Sequence, residues 1–374
     1  MSVKIIHTAD LHLGSGRTGV KNGKAEIENT FFRIIDLCKA ENIDFLLIAG
    51  DLFDTPFVPH ADAERVISAI SKISDTIVAV SPGNHDCACP GSVYLKYSFP
   101  DNVVIFNSFL EYRDFPQKGV RLWGGGFTDR VEALPLLQKP EANHNDLINL
   151  CVLHGELVAN NSSSTYNPIY PLSIEQSNFD YMALGHIHKR SEIQKLGKTY
   201  FSYSGCPDGM GFDEPDSHGV YMGTVSADFC SLEYIELSSR KYIDGSINIS
   251  DCKNSFEAAE AIFEHIKNSP AGNYQNNLYR ISLTGNTSTD LAIEASQVCK
   301  ILSDKLFYIE VLDETATSIN DFSGLANENS LKGVFVRKAL ERISSASEDE
   351  RTLYENALKI GLKAFSKGVK LNDN

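Results

Sequence analysis

Five short clusters in this chain carry side chains that bind metal ions or move protons. They are Asp10-Leu11-His12, Gly50-Asp51-Leu52-Phe53-Asp54, Gly83-Asn84-His85-Asp86, His154-Gly155 and Gly185-His186-Ile187-His188. This mixture of carboxylates, imidazoles and an amide oxygen suits Mn2+ or Fe2+, with Mg2+ as a further choice, better than a structural zinc site. No cysteine fits the set. The chemistry it points to is hydrolysis of a phosphate ester, in which an anionic oxygen must approach an anionic phosphorus. Two divalent cations about 3.5–4 Å apart neutralise both partners and lower the pKa of a bound water. Neighbouring cations repel unless an anion bridges them. Asp51 is the bridge candidate, because Gly50 before it lets the chain turn tightly at a crowded centre. Asp10 and His12 alternate along an extended segment, which turns both to one side, and His186 and His188 share that spacing. Asn84 adds a neutral oxygen that tempers the ligand charge, and His154 completes the candidate ligands. His85 is placed on the substrate side as general acid, a role worth roughly 10²–10⁴-fold in rate. Asp86 is expected to hydrogen-bond a histidine and fix its tautomer. His7, His60, His144, His218 and His265 lie outside the pattern and read as ordinary core or surface residues.

Each cluster follows an apolar run, at 3–9, 43–49, 76–81, 148–153 and 181–184. In an open α/β sheet, ligands gather beyond the carboxyl ends of the strands, so five such ends can converge on one point. The spacing of Ile27, Phe31, Ile34, Ile35 and Cys38 predicts a helix over 24–40, and Val66, Ile67, Ile70 and Ile73 predict another over 61–75. Strands alternating with helices argue for βαβ units and a largely parallel sheet. Further on, short strand candidates crowd together at 103–106, 120–124, 148–153, 181–184, 199–203, 220–225 and 232–237, with few helices between the later ones. The fold class is therefore read as α/β: two packed mixed β-sheets flanked by helices. A boundary is expected around 238–244. Beyond it, a helix (255–268), a strand (278–284), a helix (290–303) and a strand (307–312) form a small α+β unit. A polar, linker-like stretch at 315–329 leads to helices at 334–344 and 350–365, rich in Lys and Arg.

The chain has 374 residues, 42% of them hydrophobic and 22% charged, which excludes wholesale disorder and fibrous repeats. The length suggests two or three domains, with a core large enough to need no disulfides. Eight cysteines are scattered without a CxxC pair, which reads as reduced thiols. The N-terminus enters a strand pattern at once, with no signal-peptide features, and no apolar run is long enough to span a bilayer. A soluble, cytoplasmic protein is expected. The formal net charge of −15 excludes a simple basic nucleic-acid binder that works through bulk charge. It leaves open a nucleic-acid enzyme whose positive charge is local.

Written as D-x-H, GD-x-x-D, GNHD, H and GH-x-H, the five clusters resemble the calcineurin-like metallophosphoesterase superfamily over residues 1–235. Within it, His7-Thr8-Ala9-Asp10-Leu11-His12-Leu13-Gly14 and Gly50-Asp51-Leu52-Phe53-Asp54 resemble the SbcD-type DNA repair nucleases, bacterial relatives of the double-strand-break repair nucleases. The stretch Gly205-Cys206-Pro207-Asp208-Gly209-Met210-Gly211-Phe212-Asp213-Glu214 resembles the YhaO-like branch. The resemblance implies an αββα sandwich, with 1–238 as nuclease domain, 239–325 as a small α+β cap and 326–374 as a helical partner-binding segment. It implies one ion on Asp10, His12, Asp51 and His188, a second on Asp51, Asn84, His154 and His186, and His85 as the catalytic histidine. The implied activity is Mn2+-dependent exonuclease and endonuclease cleavage of DNA. The implied partners are a second copy of the chain and an SMC-like, SbcC-type ATPase bound near the C-terminal helices. Archaeal and eukaryotic members place a histidine three residues after the bridging aspartate. This chain has Asp54 there, as bacterial members do, so that histidine's roles do not transfer.

Arg17, Lys21 and Lys24 follow the first ligand pair, and Lys189 and Arg190 follow the last, as candidates for backbone phosphate contacts. The acidic bulk predicts weak intrinsic DNA affinity, so stable engagement would need a partner. Val334, Ala339, Ile343, Leu353, Leu358, Ile360 and Leu362 offer an apolar face, either for that partner or for packing on their own domain. The alternative activity is that of a phosphoesterase acting on a non-DNA phosphodiester or a phosphoprotein. A non-enzymatic scaffold is disfavoured because every ligand candidate and His85 are present.

Overall fold

The strand Ser2–Thr8 buries Val3 and Ile5 on one side and Ile6 on the other. The same alternation runs through Phe45–Ile48, where Phe45 and Leu47 oppose Leu46 and Ile48. In Tyr181–Gly185, Tyr181 and Ala183 oppose Met182 and Leu184. Successive side chains of a strand point to opposite faces, so strands covered on both sides read as unbroken apolar runs. The computed structural model describes residues 1–138, 146–215, 217–269, 273–287, 293–317 and 322–367. His144 lies outside the described residues.

Two six-stranded mixed sheets form the first compact unit, Met1–Tyr242. One runs, edge to edge, Cys230–Glu236, Gly219–Ser226, Ser2–Thr8, Phe45–Ile48, Ile77–Val80 and Val103–Ile105, and its last four strands are parallel. The other runs Gln194–Leu196, Thr199–Tyr203, Tyr181–Gly185, Ile148–His154, Val120–Gly124 and Glu111–Phe115, parallel except at its two edges. Val3, Ile5, Phe45 and Leu47 pack against Leu122, Leu150, Val152 and Tyr181 between the sheets. The helices Gly23–Ala40 and His60–Ile70 cover the outer face of the first sheet through residues such as Phe31, Ile34, Val66 and Ile70. Pro171–Ser177 covers part of the second through Ile174. This is the two-sheet α/β architecture expected from the sequence.

Several elements differ from expectation. The second helix stops at Ile70 and continues as a 3-10 turn, Ser71–Ile73. The edge strands Glu111–Phe115 and Gln194–Leu196 were not expected, and neither was Tyr242–Asn248. In the second unit, Ile243–Asn374, Leu278–Thr284 and Tyr308–Asp313 pair in parallel beside Tyr242–Asn248. The helices Ser255–Lys267 and Ala295–Leu302 pack on these strands through Ala259, Ile262, Val298 and Leu302. Positions 290–292 of the expected helix lie outside the described residues. Part of the linker-like stretch is helical, at Phe322–Ala326, while 318–321 lie outside the described residues. Leu331–Ser345 and Glu348–Lys367 bury Ile343 and Leu358 in a cluster of their own with Val336 and Phe322. Those two side chains are therefore core, whereas Val334, Leu353 and Ile360 are exposed. All eight cysteines are free. No helix among the described residues is long and apolar enough to cross a membrane.

Candidate metal centre

The candidate ligands leave the carboxyl ends of strands in both sheets. Asp10 and His12 follow Ser2–Thr8, Asp51 follows Phe45–Ile48, and Asn84 follows Ile77–Val80. From the second sheet, His154 ends its strand, and His186 and His188 follow Tyr181–Gly185. The donor atoms of Asp10, His12 and His188 lie within 4.8 Å of one another, as do those of Asp10, Asp51 and His154. Asn84 Oδ1 lies 3.0 Å from His154 Nε2 and 3.2 Å from His186 Nδ1. Asp51 Oδ2 is 3.4 Å from His154 Nε2 and 3.9 Å from His12 Nε2, so this carboxylate faces both groups. All seven candidate ligands therefore meet at one place. His85 stands beside them, its imidazole edge-on to that of His12 at 4.6 Å.

The backbone there is unusual. Asp10, His12, Asp51 and His186 have φ of 53°, 47°, 48° and 99°, a region that non-glycine residues rarely adopt. The expectation that Asp10 and His12 share a side because the segment is extended is thus corrected. Hydrogen bonds from Asp10 N–H to Gly50 O (3.0 Å) and from His12 N–H to Asp51 O (2.9 Å) hold this conformation instead. Strained φ values of this kind cost on the order of 1–3 kcal/mol each and cluster at functional sites. Gly50 has φ of 92°, and a Cβ on it would overlap the His154 imidazole. A Cβ on Gly83 would overlap the Asp51 carboxylate.

Hydrogen bonds also fix which ring nitrogens face inward. His154 Nδ1–H donates to Ala49 O at 2.9 Å, so Nε2 presents a lone pair to Asn84 and Asp51. His188 Nδ1 bonds to Glu214 Oε1 at 2.5 Å, which turns Nε2 toward His12 Nε2, 3.2 Å away. The bare His154 Nε2, Asn84 Oδ1 and Asp51 Oδ2 are acceptors facing acceptors, which repel unless a cation lies among them, and oxygen and imidazole ligands are what a divalent cation takes. The residues present therefore fit divalent metal ions. Burial pushes the His154 and His186 imidazoles down to about 4, which keeps both neutral and able to ligate. Burial also pushes the carboxyls of Asp10 and Asp51 up, a cost that positive charge between them would offset. At His188 burial pulls the imidazole down, but Glu214 and the two aspartates outweigh it and raise it to about 9.

Three expectations about neighbouring residues need correction. Among the described residues, Asp86 bonds no histidine. Its oxygens accept the Gly83 N–H (2.8 Å), the Phe53 N–H (3.1 Å) and the Tyr94 hydroxyl (2.5 Å), so it shapes the loop that carries Asn84 and His85. Burial and then the Asp51 charge push its carboxyl up to about 6. Arg17 is buried against Glu26 (3.1 Å) and Asp208 (3.0 Å) and is no surface phosphate contact. Lys24 is paired with Asp62 at 2.6 Å. Lys21, Lys189 and Arg190 are exposed, and Arg190 lies over the Tyr234 ring at 4.4 Å.

Two residues were missed as parts of the site. Asp54 Oδ1 lies 3.3 Å from His12 Nδ1 and 3.7 Å from His85 Nδ1, and His12 pulls the Asp54 carboxyl below its ordinary range. Glu214 is the partner of His188. Both stand inside motifs quoted above, but their contacts arise only on folding.

Residues 3–190, which contain all five clusters, match the family described as calcineurin-like phosphoesterase. The uncharacterised metallophosphoesterase YhaO of Bacillus subtilis is 29% identical over 286 residues, 70% of this chain and 68% of that protein. The DNA double-strand break repair protein Mre11 of Saccharolobus solfataricus is 21% identical over 373 residues, 96% of this chain and 94% of that one. Its namesake in Sulfolobus acidocaldarius is 23% identical over 287 residues, 71% and 72% of the two chains. With the family match covering half the sequence, two mixed sheets and a candidate divalent-metal donor set beyond the carboxyl ends of their strands, the chain belongs to the calcineurin-like phosphoesterase family.

Proposed function

We propose that this family member is a metal-dependent DNA nuclease of the repair class that hydrolyses phosphodiester bonds. The observation that carries the reading is the convergence of seven donor side chains, among them Asp51, whose carboxylate faces both histidine groups. Asp10, His12, Asp51 and His188 would hold one ion, and Asp51, Asn84, His154 and His186 the other. Two such ions, Mn2+ by our choice, would neutralise the phosphate and supply a nucleophilic water at neutral pH. Asp51 would serve both ions, and it accepts the His85 N–H at 2.9 Å, which fixes the backbone of the acid relative to the ligands. The His85 side chain is 47% exposed where that of Asp51 is 3%, so it stands at the mouth, open to a substrate. Its Nδ1 faces the Asp54 carboxylate and lies 3.4 Å from the Asp54 carbonyl oxygen, so Nε2 is the atom left to give a proton to the departing oxygen.

DNA as substrate is supported by the SbcD-like opening and by relatives named for DNA double-strand break repair. On this reading 1–238 form the nuclease domain, 239–325 the cap and 326–374 a segment that binds an SMC-like ATPase, with the chain acting as a homodimer. The test pairs labelled duplex DNA with bis(p-nitrophenyl) phosphate, each with the Mn2+-loaded chain. Cleavage of both supports the proposal. Hydrolysis of the small diester alone moves the substrate to another phosphodiester, and hydrolysis of neither refutes the enzyme.

A further inference from the structure

Glu214 is a carboxylate that the two-ion assignment leaves without a task. Its side chain is 13% exposed, with Oε1 against His188 Nδ1 at 2.5 Å and Oε2 accepting the Met210 N–H at 2.7 Å. It ends the stretch 205–214, which is anchored at several points. Asp208 pairs with Arg17 at 3.0 Å and accepts the Thr30 hydroxyl at 2.6 Å. Thr18 N–H donates to Met210 O at 2.9 Å, and the Tyr242 hydroxyl lies 2.7 Å from Thr18 O and 3.2 Å from Met210 O. At the other end, Cys206 N–H donates to His188 O at 3.0 Å. The stretch is thus a strap, bound to the loop that follows Asp10 and His12 and holding His188 by both backbone and side chain.

His188, Cys206 and Glu214 place donor atoms within 4.8 Å of one another, so a third ion must be weighed. It fits poorly. Both Glu214 oxygens are already engaged, His188 Nδ1 faces one of them with a proton between, and the Cys206 thiol is buried, 3.3 Å from His218 Nδ1. The trio is arranged to support a ligand rather than to be one.

We propose that Glu214 is a positioning residue for His188: it takes the Nδ1–H hydrogen bond, which fixes the tautomer and ring orientation that present Nε2 to the ion shared with Asp10 and His12. The proposal rests on the two-ion reading above. Carboxylates in this position orient the imidazole and raise its basicity, and their loss costs about 10–100-fold in metal affinity. The strap makes the last ligand of that ion depend on the loop after its first two.

The test titrates Mn2+ into the full metal-free chain and follows bound ion by electron paramagnetic resonance. Wild type should take two ions. Glu214→Ala should weaken one of them about 10–100-fold and leave the other unchanged, and Glu214→Gln, which keeps an acceptor but no charge, should fall between. In the chain loaded with diamagnetic Zn2+, the nitrogen spectrum should show a protected His188 Nδ1–H in wild type and Glu214→Gln and lose it in Glu214→Ala. Should Glu214→Ala not fold, the near-isosteric Glu214→Gln carries the affinity measurement. Wild-type affinity for both ions in these variants overturns the proposal, as does equal loss of both ions in a folded variant. A wild-type chain that takes up no Mn2+ brings down the two-ion reading itself, and this proposal with it.

Discussion

His85 and His154 show one residue type set to two tasks by its surroundings. Burial holds His154 neutral with its inward nitrogen bare, while His85 stands half in solvent beside Asp54. Replacing His85 by Ala in the metal-loaded chain should lower hydrolysis of a small diester by about 10²–10⁴-fold, with Mn2+ stoichiometry unchanged in a titration. Undiminished turnover would remove it from the acid role. His7 behaves differently again. It is fully buried, its Nε2–H donating to Leu184 O at 3.1 Å and its Nδ1 lying 2.8 Å from the Tyr181 hydroxyl, and burial pushes it down to about 3. An unfolded histidine titrates near 6.5, so between those values the unfolded chain binds the extra proton. Stability from this group is complete above about 6.5 and is lost as the pH falls toward 3, at roughly 1.4 kcal/mol per pH unit. Urea unfolding of the metal-free chain at several pH values in this window should show a slope to which His7 adds about that much, on top of what His154 and His186 contribute. In His7→Gln the slope should be smaller by about one proton, and an unaltered slope would mean that His7 is already charged in the folded chain.

Helices and strands differ in how plainly the sequence declares them. Ile27, Phe31, Ile34, Ile35 and Cys38 mark Gly23–Ala40 because one face of that helix meets the sheet and the other meets water. Strands covered on both faces announce themselves as apolar runs, and the chemistry at their ends locates the candidate ligands. Edge strands do not: Glu111–Phe115 is charged along most of its length because it has one neighbour and faces solvent. The left-handed turns at Asp10, His12 and Asp51 were hidden because they are imposed by hydrogen bonds between segments some 40 residues apart, not by local pattern. Asp86 was misread for a related reason, since one of its partners, the Phe53 N–H, lies 33 residues away. At the far end, Leu331–Ser345 and Glu348–Lys367 spend Ile343 and Leu358 on each other and leave Val334, Leu353 and Ile360 outward. On the proposed function, deleting 331–374 should abolish binding of an SMC-like ATPase in pull-down and leave small-diester hydrolysis intact. Lost hydrolysis would show that these helices support the fold instead.

A net charge of −15 weighs on the whole molecule wherever the substrate is a polyanion. The isolated chain should hold duplex DNA weakly and release it as salt rises from about 50 to 200 mM in a binding titration. Tight attachment that persists at the higher salt would contradict this and make a partner unnecessary for engagement. The site's ancestry in two separate sheets has a last consequence. Asp10, His12, Asp51 and Asn84 come from one layer, and His154, His186 and His188 from the other, so any ion they grip is a rivet through both. Whatever binds only the assembled form stabilises it. Stripping the protein with a chelator should therefore lower its melting temperature as well as silence it, and resupplying Mn2+ should restore both. An unmoved melting curve would show that the layers clasp equally well unaided.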